Sequence, residues 1–378
     1  MNPKSVICSL LLLSMLTGCQ SQPVKPFTRG DEIRSISSDE NRVWLQSREF
    51  DKTIRNQGSI YNDPEATAYL QTVMDRLYPE FKGKITVKIV KTPILNAFAL
   101  PNGSIYMHLG MLARIDNEAQ LAAILAHEGA HFILKHGYLQ SENVKSSRAF
   151  ALVVGIAGVP LVGDIIAISS IYGFSQDQET EADTVGFQRM LKAGYDTKEA
   201  SKIFAHLLKE LKALDIDEPY FFSSHPKLQE RIDSYNVLHE KYKHSGGGIV
   251  NEEKYLEMTG SLRLDSLKAD LSMDRYKSMI LVLEDEHAGQ RFGEHRFYYL
   301  GEAYRRRGEK GDYDKAARAY KKAIDRFPEY APSYRALGLY YMKKNELDKA
   351  KINFEKYLRM VNNPQDSVYV QEYLKKIQ

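Results

Sequence analysis

The sequence predicts a mainly α protein in two parts: a helical domain that includes a small β-sheet, then an α-solenoid of helix pairs. Three features carry that expectation. From Asn117 onward, apolar residues recur almost throughout at helical spacing. Strand signals are confined to residues 84–90, which alternate, and to 97–107, an extended pair around Pro101-Asn102-Gly103. Past Ser245-Gly246-Gly247-Gly248 the pattern begins to repeat, so a boundary is expected at that linker, between domains 39–244 and 249–378. The chain has 378 residues, 43% apolar and 27% charged, the balance of two or three globular domains. That balance excludes a disordered chain and a multi-span membrane protein. A net charge of +3 gives no argument for a nucleic-acid partner, and none is expected. Two cysteines exclude a disulfide framework or a thiolate zinc finger.

Residues 1–18 carry one charged side chain, Lys4, before an apolar run too short to span a bilayer. The sequence Leu16-Thr17-Gly18-Cys19 resembles a bacterial lipobox. The resemblance implies a lipoprotein signal peptide over 1–18, lipidation of Cys19 and, with Gln20 next, sorting to the outer membrane. An ordinary signal peptide cleaved beside a cysteine is the alternative. Residues 19–38 are polar and proline-containing and read as a tether. Helical periodicity starts near Glu40, with Val43, Trp44, Phe50 and Ile54 on one side. Asp63-Pro64 announces a second helix, a cap followed by proline at the first helical position.

The helix opening at Asn117 carries His127-Glu128-Gly129-Ala130-His131, with Leu121, Ile124, Leu125 and Phe132 to bury and Gly137 to close it. Residues four apart differ by about 40° around a helix, so both imidazoles can share one metal ion. Glu128 lies one step round, where it can act as a base without ligating. Zinc in a hydrolase takes three protein ligands and keeps one position for water. Glu179-Thr180-Glu181-Ala182-Asp183 follows in a helical stretch; Glu179 and Asp183 share a face, and Glu181 points away. Glu179 is expected as the third ligand, and Asp183 as the carboxylate that orients a ligating histidine through its other ring nitrogen. His136 lies about 140° round the helix from His131, cannot join the same metal and is given no role. Residues 149–172 are long and apolar, but Pro160, Gly163 and Asp164 interrupt them, and a lone Asp is costly in lipid. Two short helices over the cleft fit better, and contact with a membrane stays open.

H-E-x-x-H followed by E-x-E-A-D resembles the HtpX and CAAX-prenyl-protease family of zinc metallopeptidases, of gluzincin type. Asn96-Ala97-Phe98-Ala99-Leu100-Pro101-Asn102-Gly103 resembles that family's strand pair, with Asn102 in place of a glycine, a residue that tolerates tight turns. Gly110-Met111-Leu112 resembles its G-L-L, and Ser224-His225-Pro226 with Arg231 its S-H-P-x-x-x-x-R element. The resemblance covers residues 39–240. It implies a zincin-type metallopeptidase domain with one Zn2+ per chain on His127, His131 and Glu179. Glu128 is then the general base of peptide hydrolysis, and substrate pairs as an added strand along Asn96, Ala97, Phe98 and Ala99. His225 either donates to the tetrahedral oxyanion or swings onto the zinc and holds the enzyme off. Arg231 either assists the oxyanion or pairs with an acid.

In the C-terminal part, Leu300-Gly301 with Tyr304 is echoed by Leu337-Gly338 with Tyr341, and Ala316 with Tyr320 by Ala350 with Phe354. This resembles the tetratricopeptide repeat (TPR), a helix pair in which a small residue packs against an aromatic of the facing helix. Residues 261–288 read as a third, degenerate pair that caps the stack. Residues 296–378 hold 19 basic and 11 acidic side chains and 12 of the 24 tyrosines. Either a groove for an extended or acidic partner or a solvated repeat surface accounts for them. With leader and repeats, the chain resembles most the family's periplasmic BepA-like branch. The role this implies is a lipid-anchored zinc endopeptidase at the inner face of a Gram-negative outer membrane. Its substrates would be misfolded or stalled envelope polypeptides, and its repeats would dock on the outer-membrane assembly machinery. The alternative is a tethered periplasmic chaperone or assembly adaptor that works through its repeats, with a latent, His-gated zinc site.

Overall fold

A computed structural model of the protein describes residues 24–28, 37–144, 173–214, 228–242, 247–362 and 365–377. Cys19, the apolar stretch 149–172 and His225 lie outside the described residues. Two capped helices open the fold. Ser37 starts α1 (Ser38–Asn56) by accepting from the Glu40 N–H, and Asp63 starts α2 (Pro64–Leu77) by accepting from Ala66. Each cap satisfies an N–H that a helix start leaves without a partner.

Three strands follow: β1 (Thr86–Val90), β2 (Ala97–Ala99) and β3 (Ser104–His108). Their order is β1-β3-β2, with β1 parallel and β2 antiparallel to β3, so β2 is an edge strand. Phe98 faces Tyr106 across the antiparallel pair, and the rings stack 5.0 Å apart. At the turn between them, Gly103 has φ +85°, and a Cβ there would lie 2.5 Å from the Lys84 carbonyl. Only glycine fits. Asn102 does not take the left-handed region. Instead its side chain accepts from the Ser104 N–H (3.1 Å) and donates to Asp51 (2.8 Å). The residue that departs from the family pattern is therefore used for its amide, not for tolerance of a tight turn. Asp51 on α1 also receives the Lys88 ammonium (2.8 Å), the Ser104 hydroxyl (2.7 Å) and the Tyr106 hydroxyl, pinning α1 to the sheet. Burial pushes its carboxyl up, but these donors outweigh burial and hold it below its ordinary value.

After α3 (Leu109–Arg114) comes α4 (Glu118–Ile133), buried along its whole length. It ends earlier than expected. Lys135, at φ +59°, makes the turn; Gly137 falls inside α5 (His136–Val144), where a Cβ would meet Pro101. Lys135 is held at this turn by Glu40 (3.0 Å) and lies over the Phe27 ring at 4.3 Å. Residues 24–28, expected within a free tether, are docked here: the Phe27 N–H donates to Ile133 O (2.8 Å), and its ring stacks on Phe132 at 5.2 Å. An aromatic side chain with an apolar seat outweighs its polar neighbours in the sequence. Then come α6 (Gln176–Lys192), α7 (Lys198–Leu214) and α8 (Leu228–Lys241).

The C-terminal helices are α9 (Glu252–Met258), α10 (Gly260–Ser272), α11 (Tyr276–Glu284), α12 (Glu286–Gln290), α13 (His295–Arg307), α14 (Asp312–Arg326), α15 (Ala331–Lys343), α16 (Leu347–Met360) and α17 (Ser367–Lys376). In two pairs a glycine faces an aromatic: a Cβ on Gly301 would lie 2.3 Å from the Tyr320 ring, and one on Gly338 2.7 Å from Phe354. Two main cores result, but they do not divide at the glycine linker. Tyr255 on α9 and Leu262 on α10 belong to the first core, and Tyr255 donates to Leu112 O (2.7 Å). Gly248 is itself packed, with Ile249 bridged to Tyr195 and no room for a Cβ beside Asp196. A buried polar cluster extends this joint: Arg114 on α3 meets Glu210 on α7 (3.1 Å), Asp270 on α10 (3.5 Å) and Ser278 on α11 (3.0 Å). No described helix is long and apolar enough to cross a membrane.

Candidate metal centre

The site is built where α6 crosses α4. Gly186 permits the crossing: a Cβ there would lie 3.1 Å from the His127 amide nitrogen. One turn back along α6, Asp183 then meets the His127 ring, and two turns back Glu179 meets both histidines. On the other side of α4, Gly129 makes room for Tyr78, whose ring a Cβ would strike at 2.3 Å. The Tyr78 hydroxyl donates to Ala126 O, bracing the helix one residue before His127.

Three ligand-type atoms converge. His127 Nε2 and His131 Nε2 are 3.0 Å apart, and the Glu179 carboxylate oxygens stand 3.5 Å from the first and 3.3 Å from the second. Around a tetrahedral zinc with ligands at about 2.0–2.2 Å, such atoms are about 3.3–3.5 Å apart. The trio therefore fits a metal ion, and two imidazoles with one carboxylate are the donor set of a hydrolytic zinc site. All three are buried, which shields an ion held there from competing solvent.

The surrounding shell is polar and buried. Asp183 Oδ1 lies 2.9 Å from His127 Nδ1, a proximity that favours the ring's proton on Nδ1 and leaves Nε2 on the side of Glu179. Arg231 on α8 grips Asp183 through Nη2 (2.8 Å) and Nε (3.2 Å), and its guanidinium lies 4.0 Å over the Phe204 ring. Burial pushes the Asp183 carboxyl up, with Arg231 pulling it down. Of the two roles open to Arg231 in the sequence, the structure displays the pairing with an acid. Assistance to the oxyanion stays an expectation of the family resemblance. Glu128 is buried beside the ligand pair, and β2 packs against α4 at the edge of the sheet. At the start of that strand, the Asn96 side-chain oxygen is buried with no partner among the described residues.

Sequence reasoning missed three contributors. Phe174 stacks flat on the His131 ring, 3.8 Å away at 16°. Gly186 sets the helix crossing. His136, set aside because it cannot ligate, places its Nδ1 2.9 Å from His131 Nδ1 and its Nε2 3.3 Å from Glu181. Gly186 leaves a trace in the sequence, a glycine inside an otherwise helical run; the other two depend on where the chain turns.

A mainly helical domain with a small sheet thus holds a buried His-His-Glu cluster with Glu128 beside it, the donor set of a metallopeptidase fold. Residues 64–237 match the model of peptidase family M48, and residues 300–330 and 331–361 each match a tetratricopeptide repeat. The chain therefore carries a family M48 peptidase domain followed by TPR repeats. Among curated proteins it is 26% identical over 203 residues to the beta-barrel assembly-enhancing protease of Escherichia coli, covering 48% of this chain and 40% of that one. It is 27% identical over 214 residues to the protein of the same name from Yersinia pestis, covering 51% and 43%. The mitochondrial metalloendopeptidase OMA1 of Schizosaccharomyces pombe is 31% identical over 180 residues, covering 44% and 51%. The chain thus spans about half or less of these relatives' length.

Proposed function

We propose that this chain is a zinc-dependent endopeptidase of the bacterial envelope that removes misfolded or stalled envelope polypeptides, held to the outer membrane through lipidated Cys19. The observation that carries the chemistry is the convergence of His127, His131 and Glu179, with Asp183 2.9 Å from the other ring nitrogen of His127. One zinc ion on that trio would supply Lewis acidity toward a scissile carbonyl and toward water. The rest falls to the chain's own side chains. Glu128 takes a proton from the attacking water and returns it to the leaving amine. As the edge strand, β2 with Asn96 to Ala99 would offer main-chain groups to an extended substrate. Arg231 holds Asp183 in place. His225 either donates to the oxyanion or blocks the site as an extra ligand. The cell-envelope setting is supported by the lipobox-like leader and by the names of the bacterial relatives; the TPR helices are the expected docking surface for assembly machinery.

The test is digestion of unfolded casein by residues 20–378 loaded with zinc. Wild type should cleave, and Glu128→Gln should lose about 10²–10⁴ of the rate while keeping its zinc. A silent wild type beside an active His225→Ala would assign the blocking role to His225. A wild type that binds no zinc would refute the proposal.

A further inference from the structure

We infer that His136 is a positioning residue of the metal centre: with Glu181 it forms a relay that fixes the His131 ring so that Nε2 points at the ion. The inference rests on the metallopeptidase reading above. By helical angle His136 should lie far from the ligands, but α4 does not continue to it. The left-handed turn at Lys135 breaks the helix, and the His136 imidazole folds back to 2.9 Å from His131, nitrogen to nitrogen.

The proton count gives the relay a direction. Two ring nitrogens at that distance need one proton between them. If His131 Nε2 faces the ion, its proton is on Nδ1 and is donated to His136 Nδ1. The proton of His136 is then on Nε2, aimed at the Glu181 carboxylate 3.3 Å away. Both imidazoles are 1% exposed, so water does not compete for these bonds. The far face of the His131 ring is closed by Phe174.

Asp183 performs the same service for His127 directly. A third carboxylate at the equivalent place would bury another negative charge beside Glu179 and Asp183, at a large desolvation and repulsion cost. An interposed neutral imidazole passes on the hydrogen bond and leaves the charge on Glu181, whose side chain is 56% exposed.

The experiment strips the full chain of metal, then titrates it with Zn2+ against a chromophoric chelator and with Co2+ for its visible absorption. His136→Phe removes the acceptor; His136→Gln keeps one donor and one acceptor. His136→Phe should weaken zinc binding about ten- to hundredfold and shift the cobalt bands, and His136→Gln should recover most of both. Wild-type affinity with an unaltered cobalt spectrum in His136→Phe overturns the relay. So does a lowered melting temperature of the metal-free variants with no change in affinity, the mark of a merely structural role. If His136→Phe does not fold, Glu181→Ala decides at an exposed position: weaker zinc binding upholds the relay, and unchanged binding overturns it. Failure of the wild type to bind zinc would refute the metallopeptidase reading itself, whereas a zinc-binding wild type with indistinguishable variants refutes only the relay.

Discussion

Asp51 shows how much a single buried carboxylate can organise, since one side chain takes bonds from Lys88, Asn102, Ser104 and Tyr106. Asp51→Ala strands a largely buried ammonium and should cost about 3–5 kcal/mol, seen as a lower urea midpoint with unchanged slope. The pH dependence has a definite sign. The folded carboxyl titrates below its ordinary 3.8, so its stabilisation is complete above that value and is lost as pH falls through the folded one. The stability gap between wild type and Asp51→Asn should therefore close below pH 3.8; a gap that persists there would deny the carboxylate its charged role. Arg231 makes a second residue-scale case. As the clamp on Asp183, its replacement in Arg231→Gln should weaken zinc binding together with kcat. An oxyanion donor would leave zinc affinity at the wild-type level and lower kcat alone. The candidate ligands were legible in the sequence because two residues four apart on a helix share a face whatever surrounds them. His136 and Phe174 were not, because their positions depend on a turn at Lys135 and on the approach of a second helix.

Helices declare themselves locally and meet each other globally. Asp63-Pro64 announced α2 because cap and proline act within one turn of chain. Gly137 failed as a stop signal because Lys135, tied to Glu40, took the left-handed position first. The repeat pairs were legible for a packing reason: a small residue must recur wherever a large ring sits opposite. Gly338→Ala should prove this, since its methyl meets the wholly buried Phe354 ring. Overpacking of this kind costs about 1–3 kcal/mol and should appear as a lowered thermal transition. If the melting curve does not move, α15 and α16 are packed less tightly than their geometry requires. Gly186→Val carries the same logic to the metal centre. Larger groups between α6 and α4 would draw Glu179 away from both histidines, so zinc affinity should fall even where the domain stays folded.

Across the whole molecule the polar joint around Arg114, Glu210, Asp270 and Ser278 decides whether peptidase and repeats behave as one body. Arg114→Ala leaves two buried carboxylates without their shared cation. We expect it to split a single cooperative melt into two, with faster proteolytic nicking near residues 273–275. A melt that stays single would show that apolar contacts alone join the halves. The glycine run suggested an articulation at residues 245–248, and sequence could hardly suggest otherwise, because what binds Gly248 and Tyr255 lies some 50 and 140 positions away, at Asp196 and Leu112. The consequence reaches beyond stability. A gene fusion or deletion made at the glycines would take Tyr255 of α9 and Leu262 of α10 from the first core, so those glycines are not a clean seam between exchangeable parts. Any ancestral shuffling that gave this domain a new recruitment module, or any engineer who wishes to do so, must reckon with a helix that serves both halves, Leu262 in the first core and Leu267 and Leu271 in the second.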